Sequence, residues 1–187
     1  MLERDNVINN IVEKNFDFTF QELPYVKKIN LRGNSNDKNF VTSNETALET
    51  SLPNKPNTYS NNGKIKILWL GPNEWLVVDE IKKESNELLI KLQNINNKNE
   101  SSVTDVSENR TVLRISGDKL FILLSKFLVL DLDKNLINKS SVCQTLFVKV
   151  PIIITLNDKN VTDIFVNRSH ANYIYKLLVD GAKNLDF

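Results

Sequence analysis

The apolar positions of the chain fall into alternating and helical periods that follow one another in a recognisable order. Phe16, Phe18 and Phe20 alternate with polar residues, as a half-buried strand does, and residues 26–31 form a second extended segment closed by Arg32-Gly33. The spacing of Phe40, Val41, Ala47 and Leu48 predicts a helix over 37–48, ended by Leu52-Pro53 and Pro56. Residues 52–63 read as a polar surface loop. Two apolar runs, 65–70 and 75–79, flank Gly71-Pro72-Asn73-Glu74, and this turn chemistry makes them a hairpin. Ile81, Leu88, Leu89, Leu92 and Ile95 then recur at helical spacing, predicting an amphipathic helix over 81–95.

Strands over 103–106 and 111–115 are separated by the turn Ser107-Glu108-Asn109. Gly117-Asp118 opens a second amphipathic helix carrying Leu120, Leu123, Leu124 and Phe127, with Asp118 as its cap or first-turn acid. Leu130-Asp131-Leu132 leads into a polar connection. Residues 146–156 are rich in β-branched side chains, but Pro151 lacks a ladder donor and demands an edge, a bulge or a break. Asn157-Asp158-Lys159-Asn160 is a turn, 161–166 returns as a strand, and Ser169 caps a last helix with Ala171, Ile174, Leu177, Leu178 and Val179 on its apolar side. Residues 1–15 lack a period and read as a loosely ordered arm.

As element types, residues 26–106 spell β, α, β, β, α, β, the order of a split βαβ, ferredoxin-like unit, and the order from about 110 onward repeats most of it. The fold class is therefore α+β. One domain over 16–187 contains two ferredoxin-like halves, about 26–106 and 110–187, with antiparallel sheets and outer helices. No residue-level repetition accompanies the duplicated order.

The chain of 187 residues is long enough for a sizeable core without staples. A single cysteine, Cys143, and a single histidine, His170, supply neither a disulfide framework nor a Cys/His metal cluster, which suits a reducing cytosol. Cys143 reads as a small buried hydrophobe. With 24 basic against 23 acidic residues, nucleic acid and anionic membrane are not expected partners. The first residues do not resemble a signal peptide, and the apolar runs are too short to span a bilayer, so a cytoplasmic location is the default. The five glycines are not spaced for a phosphate loop, a dinucleotide fingerprint or a nucleophile elbow. His170 reads as a partly buried residue near a helix start. Asp105 is either a functional acid or the hydrogen-bond partner of the turn that follows, and the structural role is favoured. Arg110, Arg114 and Arg168 are candidate partners for carboxylates, inside the fold or across an interface.

Both tryptophans, Trp69 and Trp75, lie beside the 71–74 turn. Such a pair is a core anchor or an interface anchor, and the core is favoured as a prior on buried aromatics.

The stretch Leu68-Trp69-Leu70-Gly71-Pro72-Asn73-Glu74-Trp75-Leu76 resembles the Leu-Gly-Pro-Asp-Glu-Trp-Leu signature of the gamma subunit of heterotetrameric sarcosine oxidase, with Asn73 in place of Asp. Further short matches follow in order: Leu31-Arg32-Gly33, Leu52-Pro53, Thr104-Asp105-Val106-Ser107 with Arg110, Gly117, Leu130-Asp131-Leu132, Gln144-Thr145, and Arg168-Ser169 with Ala171. Gly117-Asp118-Lys119-Leu120 departs from the family's Gly-Pro-x-Ala, and His170 from its Phe, which marks a divergent member. The resemblance implies a fold similar to the folate-binding domain of the glycine-cleavage T protein and TrmE. It also implies partners, namely alpha, beta and delta subunits. The complex carries FAD, FMN and NAD on those partners and oxidises sarcosine to glycine, with hydrogen peroxide formed and the one-carbon unit passed to tetrahydrofolate. The gamma subunit contributes no catalytic, cofactor or metal residue, so Trp69, Gly71, Pro72, Glu74, Trp75, Asp105, Arg110 and Arg168 are motif or interface candidates. Within that pattern Trp75 is assigned to the core, and Trp69 to a surface that a partner covers. The alternative function is a stand-alone folate-binding or aminomethyltransferase-like protein with Asp105 as its acid.

Overall fold

In a computed structural model, described over residues 6–8, 12–15, 17–81, 85–97, 100–136, 140–183 and 185, the alternating segments pair into two wholly antiparallel sheets. The chain clusters into two units, Val26–Ser107 and Met1–Tyr25 with Glu108–Phe187.

The first unit contains β3 (Lys27–Arg32), α1 (Lys38–Leu48), β4 (Tyr59–Asn61), β5 (Ile65–Gly71), β6 (Glu74–Asp79), α2 (Glu87–Asn96) and β7 (Ser102–Asp105). Its sheet order is β4-β5-β6-β3-β7. Ile29, Leu31, Ile67, Trp75 and Val77 pack with Phe40, Ala47 and Leu48 of α1 and Leu92 of α2. Each buried Val, Leu, Ile or Phe side chain among them contributes roughly 1.5–3 kcal/mol, before chain entropy is set against it.

The second unit contains β1 (Val12–Asn15), β2 (Phe18–Glu22), β8 (Arg110–Ser116), α3 (Leu120–Ser125), α4 (Leu132–Asn135), β9 (Val142–Phe147), β10 (Val150–Asp158), β11 (Val161–Asn167) and α5 (Arg168–Lys183). Its sheet order is β1-β2-β8-β11-β10-β9. Phe18, Phe20, Ile115, Ile154, Ile164 and Val166 bury against α3 and α5 through Leu123, Leu124, Ala171, Ile174 and Leu178.

The two sheets share one plan. In the first unit β7 follows α2 and lies beside β3. In the second unit no strand follows α5 among the described residues, and β2, from the start of the chain, takes the corresponding place beside β8. The plan extends to single residues. Each hairpin strand before the turn is shifted in register, at Trp69/Gly71 and at Leu156/Asp158. In each unit the glycine after the first strand donates its N–H to a turn asparagine carbonyl: Gly33 to Asn73 and Gly117 to Asn160, both at 3.1 Å. A residue-level repeat is therefore present, carried by too few positions to show as sequence similarity.

Several elements differ from the periodicity. α2 starts at Glu87 rather than 81, because Ser85 accepts the Glu87 amide while Ile81, 56% exposed, is bonded back to Asp79. Residues 82–84 of the predicted helix lie outside the described residues, as do Phe16 of the first strand and 1–5 and 9–11 of the arm. The rest of the arm has structure: 12–15 form β1, and the amides of Val7 and Ile8 donate to the buried Glu22 carboxylate. Three residues of the predicted loop pair as β4. Asp118 caps nothing and instead accepts from Asn160 Nδ2 at 2.6 Å, while Asp131 caps the unforeseen α4 by accepting from Lys134 N. Ser107-Glu108-Asn109 is the expected turn, and the strands it joins, β7 and β8, belong to different sheets. β10 runs through Pro151, which stands one residue before the ladder to β11 begins at Ile152↔Val166, so no rung of that ladder needs its missing donor. α5 starts at Arg168, one residue before Ser169.

Candidate functional site

The 71–74 turn sits at the end of the first unit where β3 finishes and β7 begins. Pro72 and Asn73 are its exposed tip, and Trp69 pairs with Trp75 directly across the hairpin. Trp75 is 1% exposed, packs on Phe40 with ring centroids 5.9 Å apart, and donates its indole N–H to Pro53 O at 2.9 Å. Trp69 is half-buried. The turn is clamped to the segment after β3: Gly33 N donates to Asn73 O, Ser35 N to Asn73 Oδ1, and Arg32 and Asn30 both donate to Glu74 Oε1, at 2.9 and 2.7 Å. Arg32, Gly33, Asn34 and the 71–74 turn, together with Glu100, Ser101 and Ser102, surround an open concavity of about 650 Å³.

The two glycines here differ in what the fold asks of them. A Cβ on Gly33 would lie 2.3 Å from the Phe40 ring, so the packing of Phe40 on Trp75 requires glycine. A Cβ on Gly71 would meet only Glu74 Cβ, at 3.9 Å, and Gly71 is not among the positive-φ residues. Pro72, with its fixed φ, supplies the conformational constraint in the turn.

Asp105 lies at the opposite end of the same sheet. Its Oδ2 pairs with Lys27 Nζ at 2.9 Å, and its Oδ1 accepts from both the hydroxyl and the amide of Ser107. Lys27 is 1% exposed and also donates to Asn86 Oδ1 at 2.8 Å, so one ammonium ties β3, β7 and the start of α2 together. Burial works to raise the Asp105 pKa. The Ser107 hydrogen bonds and the Lys27 hydrogen bond and charge outweigh it and hold the carboxyl below its ordinary value.

Arg110 and Arg168 belong to the second unit. Arg110 opens β8 opposite Asn167, and Arg168 is the next residue, its amide donating to Asn109 O at 3.1 Å. Arg114 finds its carboxylate inside the fold: Nε and Nη2 grip Asp163 at 2.7 and 2.9 Å across β8 and β11. His170 is exposed on α5 rather than partly buried. Cys143 is buried, and burial pushes its thiol pKa up, away from reactivity.

The sequence candidates thus fall into three places: the turn, the Lys27–Asp105–Ser107 cluster, and the Arg110/Arg168 sheet end. Lys27 and the amide pair Asn44–Asn96, which exchanges hydrogen bonds of 2.9 and 3.2 Å between α1 and α2, were not singled out in the sequence. A signal was present, because Asn44 falls in helical phase with Phe40, Ala47 and Leu48. Among the described residues no group of three or more His, Cys, Asp or Glu is placed to hold a metal, and no helix is long and apolar enough to cross a membrane.

Two ferredoxin-like units, the second completed by a strand from the chain start, define an α+β fold shared with solved proteins. The glycine cleavage system aminomethyltransferase T of Bartonella henselae matches with a TM-score of 0.62 at 14% identity, over 86% of this chain and 45% of that one. The heterotetrameric sarcosine oxidase of Corynebacterium sp. U-96, solved with pyrrole 2-carboxylate, matches with a TM-score of 0.83 at 21% identity, over 94% of this chain and 89% of that one. These likenesses establish the fold.

The chain belongs to the sarcosine oxidase, gamma subunit family, whose model matches residues 32–184. Sarcosine oxidase subunit gamma of Corynebacterium sp. strain U-96 is 27% identical over 115 residues, 62% of this chain and 55% of that protein. The strain P-1 protein of the same name is 24% identical over 162 residues, 86% of this chain and 78% of its own length. The matched segment therefore spans little more than half of the first relative.

Proposed function

We propose that this chain is a non-catalytic interaction subunit in the gamma position of a heterotetrameric sarcosine oxidase, holding partners of the alpha, beta and delta kind. Family membership over residues 32–184 carries this reading. In it, residues 16–187 act as one folate-binding-like domain. The partners carry FAD, FMN and NAD, and the complex works in the cytoplasm, converting sarcosine to glycine and passing the one-carbon unit to tetrahydrofolate. Trp69, Gly71, Pro72 and Glu74 are the proposed contact at the turn, seated by Trp75. Arg110 and Arg168 are proposed as a second contact. Asp105 serves the fold.

The rival, a stand-alone folate-binding or aminomethyl-transfer protein, needs Asp105 as a working acid. A general acid needs a raised pKa and a free oxygen. Asp105 has a lowered pKa, with Ser107 on one oxygen and Lys27 on the other. Calorimetry of the full chain with tetrahydrofolate separates the two. The interaction reading predicts no binding that depends on Asp105, and tight binding abolished by Asp105→Ala would favour the rival.

A further inference from the structure

An asparagine followed by glycine is the pair in which a backbone amide most readily attacks a side-chain amide, because glycine has no Cβ to shield its nitrogen. The sequence contains one such pair, Asn62-Gly63. It lies in the turn between β4 and β5, where both residues are exposed, Gly63 has a φ of +85, and nothing stands within 4 Å of the place a Cβ would occupy. The Asn62 side chain is also the joint between this turn and the end of α1. Its Oδ1 accepts from Lys64 N and Ile65 N at 3.0 and 2.8 Å, and its Nδ2 donates to Leu48 O and Glu49 O, both at 3.2 Å. α1 carries no basic residue in its last turn and closes at Glu49 in the left-handed conformation, at φ 55, so its last carbonyls take donors from elsewhere. Lys91 Nζ serves Ala47 O at 2.8 Å, and Asn62 serves the next two. The Gly63 amide is itself held, donating to Asn61 Oδ1 at 2.7 Å.

We propose that Asn62-Gly63 is a deamidation site whose conversion, slowed by the Asn61 hydrogen bond, uncouples the β4–β5 turn from α1 as the protein ages. Gly63 N gives up its proton and bonds to Asn62 Cγ, the Cγ–Nδ2 bond breaks, and the nitrogen leaves as ammonia with that proton. Water then opens the cyclic imide at either carbonyl, giving aspartate or its β-linked isomer. Nothing is oxidised or reduced, and water is the sole co-reactant. In the aspartate product an oxygen replaces Nδ2. Both donors to α1 are lost, and a carboxylate faces two carbonyl oxygens at the negative end of the helix dipole. In the β-linked product the backbone gains a methylene inside a turn whose Asn62 N and Ile65 O are hydrogen-bonded at 3.2 Å, so the pairing of β4 with β5 is disturbed as well.

The test incubates the full chain at neutral and at mildly alkaline pH, maps it by peptide mass spectrometry to read the exchange of ammonia for water at each asparagine, and melts the same samples. Asn62 is expected to convert about tenfold faster than any other asparagine, and faster at the higher pH because the attacking amide must lose a proton. The aged chain should melt below the fresh chain, by an amount that grows with the converted fraction. Gly63→Ala should slow the conversion about tenfold, and Asn61→Ala, which releases the Gly63 amide, should at least double it. Asn62→Asp makes one product directly and should melt below wild type; where it does not fold, aged wild type supplies the same comparison. An Asn62 that outlasts the other asparagines overturns the site. An Asn61→Ala rate equal to that of wild type overturns the guarding hydrogen bond, and a fully converted chain that melts with fresh wild type overturns the uncoupling.

Discussion

Gly33 and Gly71 occupy neighbouring places around one turn, yet only Gly33 is held by its surroundings. The Phe40 ring leaves no space for a Cβ at Gly33, so Gly33→Ala must displace Phe40 from Trp75; a loss of about 1–3 kcal/mol is expected in urea unfolding. Gly71→Ala is expected to stay within about 0.5 kcal/mol of wild type in the same assay. If Gly71→Ala nevertheless weakens partner binding, its role lies outside the chain. Asp105 makes a second prediction. Its carboxyl pKa is lower in the folded chain than the ordinary value of about 3.9, so its contribution to stability is fully present above that value and is lost as the pH falls through the folded one. Asp105→Asn should therefore lower the urea midpoint at pH 7, and the gap to wild type should narrow as acid protonates Asp105. A gap that stays constant into strong acid would contradict the Lys27–Asp105–Ser107 account.

Among the elements, α1 and α2 are joined by a polar contact inside an apolar layer. Asn44 and Asn96 exchange amide hydrogen bonds, and each also donates to the carbonyl four residues before it, Phe40 and Leu92. Replacing one amide strands the other, so Asn44→Leu should cost about 1–3 kcal/mol. The double replacement with Asn96→Leu should cost less than the sum of the singles, and a double-mutant cycle in urea measures that coupling. Long periodic segments were legible in the sequence: β3, α1, the Trp hairpin, β8, β11 and the body of α2 stand where alternation and helical spacing place them. Helix starts were less legible. A cap depends on which side-chain oxygen reaches which amide, so Asp118, the expected cap, leaves α3 uncapped, while Asp131 caps α4. The place of β2 was not legible either, because nothing local to residues 18–22 says that they complete a sheet begun ninety residues later. Within the candidate site, turn chemistry announced Pro72 and Asn73. The burial of Lys27 did not show, because Lys27-Lys28 at a strand start looks like a solvated pair.

For the whole molecule, the internal pairings of Asp105 with Lys27 and of Asp163 with Arg114 place charged groups in structural work. The two units repeat a plan down to the glycine–asparagine contacts at their turns. The central claim, that this chain works by joining other subunits, is tested most directly by sedimentation velocity of the full chain added to purified alpha, beta and delta subunits. The account predicts that the chain leaves its own slow boundary and moves stoichiometrically with the flavin absorbance of the complex, while the chain alone shows no flavin. A chain that sediments alone beside a complete and active oxidase would contradict it.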